Sequence, residues 1–183
     1  MREHHSSGPE RQPWHVPVAV ADIAETGDTI ELVADSQTRA AVARMAGLRD
    51  LPRLHANFEV TRRAAGRVHV TGRVSATVGQ ACVVTLDTVV NEVEEEIDLI
   101  FAPEPAAGAD SDAADTANED WDETDPLIDG CVDLGALATE FLVLGLDPYP
   151  RKPGAVFQPP QDATPDEGPF AALGALRKDR DGE

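Results

Sequence analysis

Residues 133–148, DLGALATEFLVLGLDP, constrain the fold of this chain more than any other stretch. Leu134, Leu137, Phe141 and Leu144 recur at i, i+3, i+7 and i+10, which places them on one face of a helix. Ala138, Leu142 and Leu146 widen that face into a broad apolar surface. Asp133 precedes the run as an N-cap, its carboxylate positioned to accept from the orphan N–H groups of the first turn. Gly145 loosens the last turn, and Asp147-Pro148 ends it, because a residue before proline disfavours the α region. A helix this apolar must be covered on most of its circumference, and the expected cover is a sheet built from the strands that precede it.

The preceding residues supply those strands. Residues 14–20 alternate enough for a first strand, with Pro17 marking an edge. Residues 29–34 read as a second. Asp35 or Ser36 then caps a helix running to about Ala46, with Ala41, Val42, Met45 and Leu48 toward the core and Gly47 at the position that follows its end. Arg39, Arg44 and Arg49 fall on or beside its solvated side. Leu54, Ala56, Phe58 and Val60, and then Val68, Val70, Val74, Ala76 and Val78, occupy even positions on either side of Ala64-Ala65-Gly66. That is the period of a β-hairpin. Its odd positions carry Arg53, His55, Arg63, Arg67, His69 and Arg73. Residues 89–101 make a third strand, with Val89, Val93, Ile97, Leu99 and Phe101 inward and Glu92, Glu94, Glu96 and Asp98 outward. Paired with the hairpin, this strand sets Arg73 near Glu92 or Glu94, and His69 near Glu96 or Asp98. The expected fold is therefore α+β: an antiparallel meander packed by the apolar helix and a second, shorter one.

The boundaries follow from composition. Residues 1–13 read as a disordered tail, 14–154 as a single α+β domain, and 155–183 as a Pro-rich linker ending in a short basic helix. Within the domain, residues 103–126 form an acidic, Ala- and Asp-rich loop with the composition of a disordered segment. The opening residues lack an apolar h-region, no apolar run approaches the roughly 20 residues of a membrane span, and two cysteines make no disulfide scaffold. The expectation is a soluble, cytoplasmic protein.

The net charge of −19 is unevenly distributed. Between Val74 and Pro150 there are 19 Asp and Glu and no Lys or Arg, while the remaining residues balance 15 acidic against 15 basic. A block of this sign repels phosphate and attracts basic proteins. Trp121, set between Asp120 and Asp122, is suited to anchoring such a partner, and Phe170 offers a second apolar anchor in the C-terminal helix. Against that stand the hairpin arginines, which point toward nucleic acid.

Little here points to catalysis. No P-loop, G-x-S-x-G, H-E-x-x-H or Gly-rich dinucleotide turn occurs. Cys82 lacks an adjacent base and reads as a buried or turn cysteine. A zinc site would need Cys82, Cys131 and two histidines to converge. The expectation is a protein that is not an enzyme, with no cofactor, metal or small-molecule substrate.

Three places carry a resemblance to a known family. Residues 82–87, CVVTLD, precede the acidic strand. Residues 129–134, DGCVDL, lead into the apolar helix and on to Leu146-Asp147-Pro148. Residues 168–178, GPFAALGALRK, end the chain's last apolar run. In order and spacing these resemble the YceD family, the large ribosomal RNA subunit accumulation proteins. Many relatives carry C-x-x-C at the first place, where Thr85 here stands at the second cysteine position, so a paired-thiol or metal role is removed. Gly168 replaces the usual Asn of the family's N-P-F-x-x-L-x-x-L-K tail. The resemblance implies a role in large ribosomal subunit biogenesis and 23S rRNA accumulation. The family's gene commonly neighbours that of a small basic ribosomal protein. No catalytic activity is established for the family, so no active site carries over.

Two readings result. In the first, Arg53, Arg63, Arg67 and Arg73 on the hairpin, with Arg151, Lys152, Arg177 and Lys178, contact phosphates of precursor 23S rRNA or of a large-subunit assembly intermediate. In the second, the acidic block holds a basic ribosomal protein. Neither involves a membrane. Pairing of the hairpin arginines with Glu92, Glu94, Glu96 and Asp98 would weaken the first.

Overall fold

The computed structural model describes residues 12–103 and 124–157. The chain divides into two compact units, residues 1–152 and 153–183. Of the second, residues 153–157 are described: a turn at Pro153-Gly154, with Gly154 at φ 78°, and irregular chain after it. Everything below concerns the first unit.

In chain order the elements are β1 (Pro17–Ala19), a 3₁₀ turn (Val20–Asp22), β2 (Asp28–Val33) and α1 (Ser36–Met45). Then come β3 (Asp50–Arg62), a 3₁₀ turn (Ala64–Gly66), β4 (Val68–Ala81), β5 (Thr88–Pro103), β6 (Thr124–Leu127), β7 (Cys131–Asp133) and α2 (Leu134–Leu144). The large sheet runs β2-β3-β4-β5-β6, and a two-stranded ribbon pairs β1 with β7. From β2 to β5 every pairing is antiparallel and sequential, the expected meander.

Period-2 alternation decides which face of the meander is covered. Ala56, Phe58 and Val60 of β3, and Val68, Val70, Val74, Ala76 and Val78 of β4, have no solvent exposure. Helix α2 packs on β4 and β5 from this side, and α1 packs on β3. Both helices are capped by aspartate, as their sequences require. Asp35 accepts from the Thr38 N–H at 2.7 Å, and that bond lowers its pKa. Asp133 accepts from Gly135 and Ala136 at 3.1 Å each.

Three expectations need correction. Met45 and Leu144, assigned to the buried faces, are 49% and 70% exposed; Ala43 and Thr139 are buried instead. Met45 sits in the last turn of α1, and Leu144 lies on the side of α2 turned away from the sheet, whose Val93 and Glu95 lie against the next residue, Gly145. Val143, on the same outward side, is 40% exposed, while Leu142 in the same turn is fully buried. Third, the segment 103–126 is not all loop. Pro103 ends β5, and Thr124–Leu127 returns as β6, parallel to β5 with Ile100 opposite Thr124 and Pro103 opposite Leu127. Asp125 and Pro126 read as loop residues, but an edge strand tolerates them because one side of its backbone needs no partner. A parallel pairing needs a long connection, which residues 104–123 provide.

Candidate interaction surfaces

The face of the meander that no described element covers carries the odd-numbered side chains of β2 to β4 and the even-numbered ones of β5, as alternation predicts. The register places Glu31, Asn57, Arg73 and Glu96 in one row across β2 to β5, and Glu59, Thr71 and Asp98 in the next. Arg53 and Thr77 lie opposite Glu92 in another. The guanidiniums here are already engaged. Arg53 reaches across β4 to Glu92 at 2.6 Å, and bonds Ser75 Oγ at 2.9 Å and Thr77 Oγ1 at 3.3 Å on the way. The Thr77 hydroxyl donates to Glu92 at 2.8 Å, and this bond with the Arg53 pair holds the Glu92 carboxyl below its ordinary pKa. Arg73 bridges Glu94 and Glu96, the latter at 2.7 Å, and these bonds raise its pKa.

The histidines are used in the same way. His69 Nε2 faces Asp98 Oδ1 at 2.7 Å, and Arg63 Nη2 approaches His69 Nδ1 at 3.0 Å. A guanidinium can only donate, so Nδ1 accepts and the ring proton sits on Nε2, facing the carboxylate. His55 pairs with Glu31 at 2.9 Å. The pairing expected from sequence is present: Arg73 takes Glu94, with Glu96 besides, and His69 takes Asp98, while Glu92 goes to Arg53. Arg53 and Arg73, candidate RNA contacts from the sequence, are members of a cross-strand ion network. Among the described residues the face carries Glu31, Glu59, Glu92, Glu94, Glu96 and Asp98 against the guanidiniums of Arg53, Arg63 and Arg73, and is acidic.

Exposed pairs of this kind contribute roughly 0.2–1 kcal/mol each. Replacing Arg73 by Gln should lower the urea midpoint only slightly at low ionic strength. The difference should shrink in high salt, where screening already weakens the pairs. Urea unfolding at two salt concentrations checks this. A loss that salt leaves unchanged would mean that Arg73 packs rather than pairs.

The other candidates do not gather on one surface. Arg63 and Arg67 flank the 3₁₀ turn that joins β3 to β4, where the Arg63 N–H donates to the Arg67 carbonyl at 2.8 Å. Arg151 and Lys152 lie at the opposite end of β4, whose 14 residues span roughly 40 Å. Lys152 Nζ is paired with Asp87 at 3.0 Å, which lowers the Asp87 pKa. Arg177, Lys178, Trp121, Asp120, Asp122 and Phe170 lie outside the described residues.

The turn between β4 and β5, residues 82–87, is tied to the segment after α2. The Val83 N–H donates to the Pro150 carbonyl at 2.9 Å, and Gln80 Nε2 donates to the Asp147 carbonyl at 2.8 Å. Cys82 is fully buried, and its Sγ accepts backbone N–H groups from Lys152 at 3.3 Å, Val84 at 3.4 Å and Thr85 at 3.5 Å. Thr85, at the position of the second family cysteine, directs its hydroxyl to Asp87 at 3.1 Å. The sulfur's donors, Lys152 N–H first, pull the Cys82 thiol down to about 6, with desolvation acting against them. A thiol lowered by folding adds stability that is complete above its unfolded pKa. That contribution is lost as pH falls through the folded value. The urea midpoint of the native chain should therefore rise from pH 6 to about 9, the range between the two. A Cys82→Ser variant should lack that slope, and equal slopes in the two proteins would exclude the linkage.

Two surface features escaped sequence reading. One is β6. The other is a cleft of about 460 Å³ between α1 and the start of β3, edged by Arg39, Arg44 and Arg49. The sequence sets these arginines on or beside the solvated side of α1, but the concavity they share depends on how the chain turns after α1, which no period reports.

A family model described as "Large ribosomal RNA subunit accumulation protein YceD" matches residues 70–177. This chain belongs to the YceD family. The match begins within β4 and takes in β5, the Cys82 turn and α2. No curated protein and no solved structure matches the chain. The family name ties the YceD chain to large-subunit ribosomal RNA accumulation. Among the described residues no helix is long and apolar enough to cross a membrane.

Proposed function

We propose that this YceD protein is a non-catalytic factor of large ribosomal subunit biogenesis. It supports 23S rRNA accumulation and processing by associating, in the cytoplasm, with precursor rRNA in an assembly intermediate. The family match over residues 70–177 is the observation that carries this reading. The pairing of Arg53, Arg73 and His69 with neighbouring carboxylates weighs against direct phosphate contact by the sheet face, so the rRNA contact of this reading lies elsewhere on the chain. No cofactor or small-molecule substrate enters the reading.

The same network favours a second reading of how the particle is engaged. With Arg53 and Arg73 neutralised, the excess carboxylates of the sheet face are complementary to a basic ribosomal protein. The test is sedimentation of tagged protein through a gradient of cell extract, with precursor 23S rRNA quantified after depletion. Co-migration with large-subunit precursors and a fall in 23S rRNA are expected. Absence of both overturns the assignment. Co-migration that survives nuclease but not removal of basic ribosomal proteins selects the second reading.

A further inference from the structure

We propose that the cleft between α1 and the start of β3 binds a phosphodiester of single-stranded RNA through Arg39, Arg44 and Arg49. The inference rests on the functional reading above and names the surface through which rRNA is touched.

The backbone builds this cleft. At the end of α1, Leu48 N–H bonds the Ala43 carbonyl at 2.9 Å and Gly47 N–H bonds the Arg44 carbonyl at 3.4 Å, with Gly47 at φ 67°. This is a Schellman closure, and it turns the chain back so that Arg49 comes alongside Arg44. The Arg49 N–H is then pinned to the Gly79 carbonyl of β4 at 2.7 Å. Three guanidiniums are thereby placed around one concavity.

Their state differs from that of the sheet arginines. Arg39 is half-buried and anchored to the Ala34 carbonyl at 2.7 Å. Arg44 and Arg49 are exposed and have no hydrogen-bonding or ion-pair partner for their side chains among the described residues. Two carboxylates lie near them: Asp50, whose side chain is against Gly79 and which also lines the cleft, and Asp35, the cap of α1, whose charge Arg39 feels. Three guanidiniums against these two carboxylates leave the cleft cationic, on a chain of net charge −19.

The floor narrows the choice. Ala40, Ala43, Leu48, Leu51 and Pro52 line it with Ser36 and Asp50, so the cleft joins an apolar base to a rim of three arginines, one serine and one aspartate. Its volume of about 460 Å³ suits a small-ligand or single-residue pocket. An unstacked nucleotide matches that combination, phosphate on the guanidiniums and base face on the floor or against the plane of Arg39. A base held in a duplex does not present its face in this way.

Fluorescence anisotropy of a short labelled oligouridine with the full chain, across a salt series, tests the assignment. The variant Arg44→Gln/Arg49→Gln spares the Arg39 anchor and should still fold. It should bind at least roughly tenfold more weakly at low salt, and the log–log salt slope should fall by about 0.7, the release expected for one single-strand phosphate. Arg53→Gln/Arg73→Gln removes the same charge from the sheet face and should keep the native slope. Equal loss in both variants overturns the proposal, since net charge alone would then govern binding. Stronger displacement by polyglutamate than by unlabelled oligouridine also overturns it and reassigns the cleft to an acidic peptide. Equal affinity for a duplex of the same length overturns the single-strand assignment. Gradient sedimentation of the same proteins separates the two claims. Native protein on precursor particles, with the cleft variant keeping its full slope, fails the cleft alone. A lost slope with no native protein on the particles fails the functional reading alone.

Discussion

Replacing Gly72 by valine should destabilise the protein by about 3 kcal/mol or more, toward the severe end for overpacked cores. Gly72 lies in the middle of β4, directly opposite Phe58 on β3 and Ile97 on β5. A Cβ at that position would meet Phe58 Cδ1 at 2.8 Å and Phe58 Cα at 3.1 Å, and would press on the Asn57 carbonyl oxygen. Two of these three atoms are backbone of the neighbouring strand, so no rotamer change relieves the contact. Phe58 has no solvent exposure, and its ring lies over the space the glycine leaves. The converse change, Phe58→Ala, should cost about 3–5 kcal/mol by opening a cavity there. Combining the two should not restore stability, because the clash with Asn57 remains. Urea unfolding followed by circular dichroism measures all three variants. A Gly72→Ala midpoint equal to the native one would show that β3 and β4 can separate at little cost, and would remove the basis for the larger prediction.

Gly72 also shows where the sequence stops being informative. The alternation of Leu54, Ala56, Phe58 and Val60 with polar residues fixes the inner face of β3, and the structure places each of them there. The same alternation makes Gly72 an inward position, but not which residue of another strand crosses it. That depends on register, which a single sequence leaves open. The surface follows the same rule. Arginines on odd positions of β3 and β4 and glutamates on even positions of β5 announce an ion network, yet its pairing depends on register and side-chain reach. Arg53 spans two strands to Glu92, a contact that no nearest-neighbour rule includes. The arginine cleft was hidden for a different reason. Its residues straddle the end of α1, and a Schellman turn brings them together, so no single periodicity reports them. Strand β6 was hidden because Asp125 and Pro126 argue against a strand wherever both edges must be paired.

Replacing Asp133 by alanine is the second large effect, at about 3 kcal/mol from two contributions. One carboxylate oxygen accepts three backbone N–H groups, from Gly135 and Ala136 at 3.1 Å and from Val16 at 2.8 Å, while the other faces His15 Nδ1. The first two bonds are the N-cap of α2, and losing such a cap costs about 1 kcal/mol. The third joins the start of β1 to that cap, and a hydrogen bond to a charged acceptor contributes about 1.5–3 kcal/mol. This side chain therefore holds the N-terminal strand against the helix that covers the sheet. The attachment is reinforced by the Leu134 N–H on the Val16 carbonyl at 3.0 Å, and by Gly135, where a Cβ would lie 2.6 Å from the Trp14 carbonyl oxygen. For a chain of this size a loss of 3 kcal/mol lowers the melting temperature by roughly 6–12 °C. Asp133→Asn keeps one oxygen for the three N–H groups and gives up only the charge and the His15 contact, so its loss should be less than half as large. Amide exchange distinguishes this account from simple capping. The Val16 amide should lose protection together with those of Gly135 and Ala136, because one oxygen serves all three. Loss at the helix start with Val16 still protected would mean that β1 is held by its pairing with β7 alone.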